Sequence, residues 1–539
     1  MNLTQKLLAL ALLIGGTSVT AQITERTTPK EWDNLIIGGR FMDRFLPMPN
    51  GKKVYDTWGA KNVIPRFEDN GIEVPHLSFW GGNILQTPDK KYHLLVCGWL
   101  ESAEKGHMEW PNSIVYHSVS NKLHGPYQIV DTIGYGHNPE TYRLKDGRYV
   151  LSVSGAYYIA DDINGPWEKN SFKYDTRNRP IIEGLTNQTY APREDGSVMM
   201  VCRGGGTWIS QDGISPYQQI TVKRIYPDVP GEFEDPVVWR DDFQYHLIVN
   251  DWLGRIAYYQ RSPDGVHWVT EEGQAYVPGI SKHKDGHVED WFKYERIKVF
   301  QDDHGRVLQA NFAVIDTIKW NDLGSDNHSS KNLCIPMNKG LLLSIENQEP
   351  INANTPTITL RIKGEKGFNP SKDLNLESLR LGNFTEVNYG RGAEVISSKK
   401  DGKDLLVTFN GKNSGITENE FAPKLLGKDK KGEMVFGYAK LPYYNYTPAI
   451  LSSLRPTVES GDQISVTIKN FGLSKSKPAS IKVFCNDVLI AEGNLKALNS
   501  YEEESIVMSS RPKFTEPEGC TYKVEFYIDG KKVETNTFK

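Results

Sequence analysis

Hydrophobic and polar positions alternate at period two along nearly the whole chain, with Gly, Asp and Asn between the runs and no long helical repeat. The pattern predicts an all-β protein. One plan recurs in the first two thirds. "GGNILQTPDKKYHLLVCGW" from Gly81, "HNPETYRLKDGRYVLSVSG" from His137, "TYAPREDGSVMMVCRGG" from Thr189, "EDPVVWRDDFQYHLIVND" from Glu234 and "DWFKYERIKVFQDDHGRVLQANFAV" from Asp290 share it. Each copy has a polar or acidic start, an apolar strand, a tight turn and a second apolar strand. In the first, second and fourth, the outer-strand signals "HGPYQIV", "NGPWEKN" and "SPDGVHW" follow.

Pro139, Pro192 and Pro236 stand 53 and 44 residues apart, the length of a four-stranded blade. Five copies predict a five-bladed β-propeller over residues 76–345. In a propeller the first strand of each blade lines the central channel, so the starts of the repeats should converge at one mouth. All twelve Trp fall between Trp32 and Trp320, so the chain beyond about 345 differs in kind. There "TITLRIKG" sets Ile358, Leu360 and Ile362 on one face, and "DGKDLLVTFNG" does the same with Leu405, Val407 and Phe409. These runs predict a β-sandwich module over 346–446. Similar alternation in "QISVTIKNFG" and "YKVEFYIDGKK" predicts an immunoglobulin-like module over 447–539. Neither module holds a Trp or an acid cluster, and both read as spacers or packing partners. Residues 22–75 carry Trp32, Trp58 and several Phe, and are expected to pack on the propeller as an arm.

Composition adds an address and removes one class of partner. Lys6, the apolar run Leu7 to Ile14 and the small residues Val19, Thr20 and Ala21 read as a cleavable signal peptide over 1–21. No Cys follows the cleavage site to take a lipid, and no later apolar run is long enough to span a membrane. Export to the periplasm or beyond, without membrane insertion, is the expectation. A net charge of −4, without runs of Lys or Arg, excludes the basic excess of a nucleic-acid binder. Five cysteines are too few for a disulfide framework. Cys485 and Cys520 lie in one segment and can pair, while Cys97, Cys202 and Cys334 read as buried thiols.

The starts of the repeats carry the candidate chemistry. They bring Asn83, then His137, Asn138 and Glu140, then Asn187 and Arg193, then Glu234 and Asp235, then His287, Glu289 and Asp290 toward one mouth. Hydrolysis of a glycosidic bond needs one carboxylate that acts ionised, one acid that protonates the leaving oxygen, and neighbours that separate their pKa values. The structural alternative is that an acid before a strand caps a turn or accepts backbone N–H groups. The insertion "KGHMEWPNS" adds His107, Glu109, Trp110 and Asn112, suited to stacking on a sugar face and bonding its hydroxyls. Trp80, Trp252 and Trp291 adjoin repeat starts, and Arg203 follows the third.

The strings "EDPVVW", "DGRYVLSVSG" and "NGPW" resemble blades of the five-bladed glycoside hydrolases of families 43, 32, 62 and 117, over about residues 76–345. That resemblance implies an Asp base on the first blade, a second acid that tunes it and a Glu acid on the third. The chain departs from it: Gly82 and Asn83 stand where the base is expected, and Asn138 where Asp is usual. Family 117 resembles this chain in a His beside acids late in the propeller, which implies His287 as the acid. Asp43 or Asp56 of the arm are candidates for the missing first-blade carboxylate. The resemblance allows a structural calcium ion on the channel axis; the sequence holds no dedicated metal loop, and no cofactor is expected.

The resulting expectation is a secreted, exo-acting glycoside hydrolase that removes a terminal sugar from plant or algal oligosaccharides by an inverting mechanism. Asp235 and Glu289 are its working carboxylates, Glu140 tunes them and His287 donates the proton. A non-catalytic carbohydrate-binding propeller is the alternative, favoured by the missing first-blade Asp. A polysaccharide lyase is a third, with Arg193 or Arg203 neutralising a uronate.

Overall fold

The computed structural model describes residues 23–51, 53–54, 66–67, 69–460, 462–510 and 513–539. The expected signal peptide, Asp56 and Trp58 lie outside the described residues. Five antiparallel sheets succeed one another from Leu77 to Pro336. Blades 1, 2 and 4 have four strands each, blade 3 has four plus the short parallel strand Tyr174–Asp175 at its outer edge, and blade 5 has three. Their first strands are Leu77–Gln86, Glu140–Arg143, Thr189–Pro192, Phe233–Arg240 and Lys293–Gln301. Each of these packs beside the next, and the fifth packs beside the first, so the ring closes as a five-bladed propeller.

One local device recurs at the entry to every first strand. Gly81, Asn138, Asn187, Asp235 and Arg296 all have left-handed backbone, with φ of 63°, 56°, 51°, 54° and 50°. In blades 1, 4 and 5 the ladder slips there, between Trp80 and Asn83, Glu234 and Val237, and Glu295 and Lys298. A bulge of this kind re-aims the side chain beside it. Asn, Asp and Gly enter this region readily, whereas Arg296 does so at a cost that neighbouring contacts must offset. Gly82 has no such freedom of choice: a Cβ there would sit 2.4 Å from the Leu95 carbonyl oxygen, so the first blade cannot carry an acid at that position.

The arm is clamped between the propeller and the barrel that follows. Phe41 and Met48 lie in one core cluster with residues of blades 4 and 5 and of the C-terminal half. The Arg44 guanidinium sits 4.3–5.5 Å from the rings of Phe41, Tyr259, Phe436 and Tyr438. Arg26 reaches Asp251 at 2.5 Å.

Residues 343–440 correct one expectation: they form a closed seven-stranded barrel rather than an open sandwich. The expected inward positions, Ile358, Leu360, Ile362, Leu405, Val407 and Phe409, are all buried in its core. Closure is made by the short strand Leu343–Ile345, which pairs with Thr357–Ile362 on one side and Met434–Lys440 on the other. Residues from Leu451 onward form two four-stranded sheets around a single apolar core, with Cys485 and Cys520 bonded to each other. This unit packs on blade 3 through buried arginines: Arg177 and Arg179 donate to Ser452, and Arg193 donates to the Phe471 carbonyl. Arg193 therefore joins two units and does not reach the mouth.

Candidate active site

The residue just before each left-handed turn points into one cavity of about 460 Å³: Trp80, His137, Thr186, Glu234 and Glu295. Five copies of one left-handed turn thus deliver one side chain each to the same space. Two 3-10 turns complete the rim. Gly106–Asn112 supplies His107 and Trp110, and Lys319–Asn321, in the connection between the last two strands of blade 5, supplies Lys319 and Trp320. Arg203 and Trp252 close the remaining sides.

Two of the carboxylates at this mouth are driven in opposite directions. Glu234 is largely buried, with 17% of its side chain exposed, and its Oε1 accepts from Asn187 Nδ2 at 2.8 Å and Arg203 Nη1 at 3.1 Å. Burial, and then the neighbouring Asp235 charge, raise its pKa above the ordinary value, against the pull of Lys319 and Arg203. Glu295 is more deeply buried, with 1% of its side chain exposed, yet Lys293 at 2.9 Å and Lys319 in close contact outweigh desolvation and hold its carboxyl well below the usual range. Pairs of titratable groups pushed apart by their surroundings mark acid and base assignments.

Asp235 is 2% exposed and committed to its neighbours. Its Oδ1 accepts from Arg296 Nη1 and Asn187 Nδ2, each at 2.9 Å. It also gives Arg296 the partner that holds that residue's strained backbone in place. His137 bonds Ser113 Oγ through Nδ1 at 3.0 Å, and His107 bonds Ser330 Oγ at 3.1 Å. Burial first, then nearby cations, hold both imidazoles well below their ordinary pKa, so they are neutral hydrogen-bonding groups at neutral pH. The indole N–H of Trp252 and Oδ1 of Asn138 are buried cavity-lining atoms with no hydrogen-bond partner among the described residues.

Ten of the residues singled out in the sequence meet in this cavity: Trp80, His107, Trp110, His137, Asn138, Asn187, Arg203, Glu234, Asp235 and Trp252. Two more lie beneath it as staples between blades. Asn83 bonds both backbone groups of Thr141, and Glu140 accepts from Thr189, Tyr190 and Lys298. Burial, only partly offset by Glu140, pushes the Lys298 ammonium down to about 8. Glu109 bonds Asn112 on its own turn and does not line the cavity.

The group expected at the fifth start is not brought to the mouth. Glu289 is buried between His283 Nε2 at 2.8 Å and the Trp291 N–H at 2.6 Å, and Trp291 is core. His287 and Asp290 lie on the same connection, outside the cavity. In the sequence the fifth repeat reads as starting at Asp290, whereas its first strand begins at Lys293 and its bulge falls at Glu295–Arg296. Matching "EDPVVW" to "ERIKVF" would have found Glu295; nothing in the sequence marks Lys319 or Trp320. Asp43 accepts from the N–H groups of Gly38 and Arg40 and caps a turn of the arm.

No protein-family model and no curated protein matches the chain. Among solved structures it is similar to Zg3597, a family 117 glycoside hydrolase produced by the marine bacterium Zobellia galactanivorans, at 11% identity. That match covers 54% of this chain and 90% of that one with a TM-score of 0.40. It is also similar to an endo-arabinase from Bacteroides thetaiotaomicron (12% identity, 48% and 94% covered, TM-score 0.30). An α-L-arabinofuranosidase from Lactobacillus brevis matches at 9% identity, with 48% and 91% covered and a TM-score of 0.34.

Proposed function

We propose that the protein is a glycoside hydrolase whose chemistry sits at the propeller mouth, with Glu234 as general acid and Glu295 as the carboxylate that acts ionised. The observation that carries this reading is the opposite displacement of these two groups within one cavity. Glu234 gives its proton to the leaving oxygen as the bond from that oxygen to the anomeric carbon breaks. Glu295 either takes a proton from the water that attacks that carbon or attacks it directly; the anomer released first distinguishes the two. Asp235 acts as a positioning residue, raising Glu234 by like charge and anchoring Arg296. Neutral His107 and His137, with Asn138 and Asn187, suit sugar hydroxyls.

A pocket at the propeller mouth favours removal of a terminal sugar over cleavage within a long chain, and the signal-like first residues favour export. The test is a panel of plant and algal oligosaccharides with product detection. A released sugar that disappears in Glu234→Gln and Glu295→Gln, with folding intact, supports the assignment. Binding of an oligosaccharide without any product, equal in parent and variants, would make the protein a binding module instead.

A further inference from the structure

The charges at the mouth do not balance. Lys293 and Lys319 both engage the single carboxylate of Glu295, Arg296 is matched by Asp235, and Arg203 stands against Glu234. Four cations therefore face three carboxylates, and when Glu234 carries its proton they face two. Glu183 does not correct the count: it lies 3.9 Å from Arg203 but is in closer contact with Arg224, which brings its own charge.

The excess falls on Lys319 and Arg203. Lys293, 4% exposed and 2.9 Å from Glu295, already pairs that carboxylate. Lys319 comes from a different element, the turn above the mouth, and its ammonium stands 5.0 Å from the centre of the Trp80 ring at the cavity wall. Its side chain is 21% exposed and that of Arg203 33%, so both remain reachable from the cavity. Positive charge in excess of its partners beside the aromatic walls of a half-open cavity is costly, and a ligand anion lowers the cost. A neutral sugar would not; a Met or Gln at 319 would serve it better.

From this excess, and resting on the hydrolase reading above, we infer that the sugar unit bound in this cavity carries an acidic substituent, a carboxylate or a sulfate ester, held between Lys319 and Arg203.

The experiment uses the full chain and measures thermal stabilisation and calorimetric binding with D-glucuronate, D-galacturonate, galactose 6-sulfate, and the neutral sugars glucose and galactose. At least one acidic sugar should bind about tenfold or more tightly than its neutral counterpart, the scale of one charge-assisted contact. Binding by the uronates alone would name a carboxylate, and by the sulfated sugar alone a sulfate. Lys319→Met should abolish the preference, and the milder Arg203→Gln should weaken it, which keeps the test available if Lys319→Met does not fold. Equal binding of acidic and neutral sugars, binding of none of the acidic ones, or an acid preference unchanged in a folded Lys319→Met would overturn the inference. The two readings fail separately. Release of a neutral terminal sugar, lost in Glu234→Gln, would overturn the acidic substituent and leave the hydrolase standing. Cleavage of an acidic oligosaccharide to an unsaturated product, without uptake of water, would support the acidic substituent and overturn the hydrolase.

Discussion

The chain buries a dense group of charges in two places, and only one of them has the features of a site. At the junction of propeller and barrel, Glu271 accepts from Arg261 at 2.6 Å, Tyr438 at 2.8 Å and Lys424 at 3.2 Å. Lys424 is in turn bonded to Asn388 and the Gly38 carbonyl, and Arg44 donates to Tyr438. Lys424 and the arginines outweigh burial and hold Glu271 below the ordinary range. A cavity of about 350 Å³ adjoins the cluster through Arg44 and Tyr438, but its carboxylates are tied off, Asp241 to His246 and Asp242 to His304. At the mouth, by contrast, two carboxylates are displaced in opposite senses, cations outnumber anions, and two exposed Trp stand on the rim. Buried charge by itself locks units together; unequal charge beside open space is what chemistry needs.

The sharpest way to break this comparison is to remove one charge from each place. Glu234→Gln and Glu295→Gln should each lower turnover by about 10²–10⁴-fold, measured on any oligosaccharide the parent cleaves, with unfolding midpoints close to the parent's. Glu271→Gln should do the reverse. It strands Arg261 and Lys424 in the interior and should cost about 3–5 kcal/mol in a denaturant titration, while kcat per folded molecule stays at the parent value. If Glu271→Gln abolished turnover without loss of stability, the cavity beside Arg44 would have to be the working site.

A subtler test uses pH. The raised Glu234 must be protonated to act, so the rate should fall as pH rises through its pKa; Glu295 must be ionised, so the rate should fall as pH drops through its lowered pKa. Arg203 pulls Glu234 down, and Arg203→Gln should move the alkaline limb to higher pH. Lys293 pulls Glu295 down strongly and Glu234 less, so Lys293→Met should move the acid limb upward and the alkaline limb by a smaller amount. Both limbs moving by equal amounts in either variant would mean that these two carboxylates do not hold separate roles.

The same contrast explains what could be read in the chain and what could not. Alternation, turn residues and the repeat spacing are local properties, and they were enough for five blades and for the mouth where their starts meet. The left-handed turns are legible at Asn138, Asn187 and Asp235, residue types that enter that region readily. They were hidden at Arg296, whose backbone N–H and guanidinium are held by Asp235, 61 residues earlier. That displaced the fifth start and put Glu289 in the place of Glu295. Barrel closure was equally hidden. Ile358 and Leu360 alternate alike in a sandwich or a barrel, and the three residues Leu343–Ile345 decide between them through pairings with strands distant in sequence. Lys319 and Trp320 belong to a connection whose position depends on the whole of blade 5.

The smallest effect expected is at the rim. Trp110 and Trp320 are 37% and 40% exposed, both line the cavity, and the 3-10 turns that carry them touch each other. An exposed indole gains little from packing, so its loss should hardly alter stability, whereas a sugar ring stacked on it loses an apolar face. With an aromatic contact worth about 0.5–1.5 kcal/mol, Trp320→Ala and Trp110→Ala should each raise KM about threefold to tenfold and leave kcat nearly unchanged. Trp320→Phe should recover part of the loss, because it keeps a flat apolar face. A fall in kcat with KM unchanged would assign these residues to the transition state rather than to substrate binding, and would place the reacting bond directly beneath the rim.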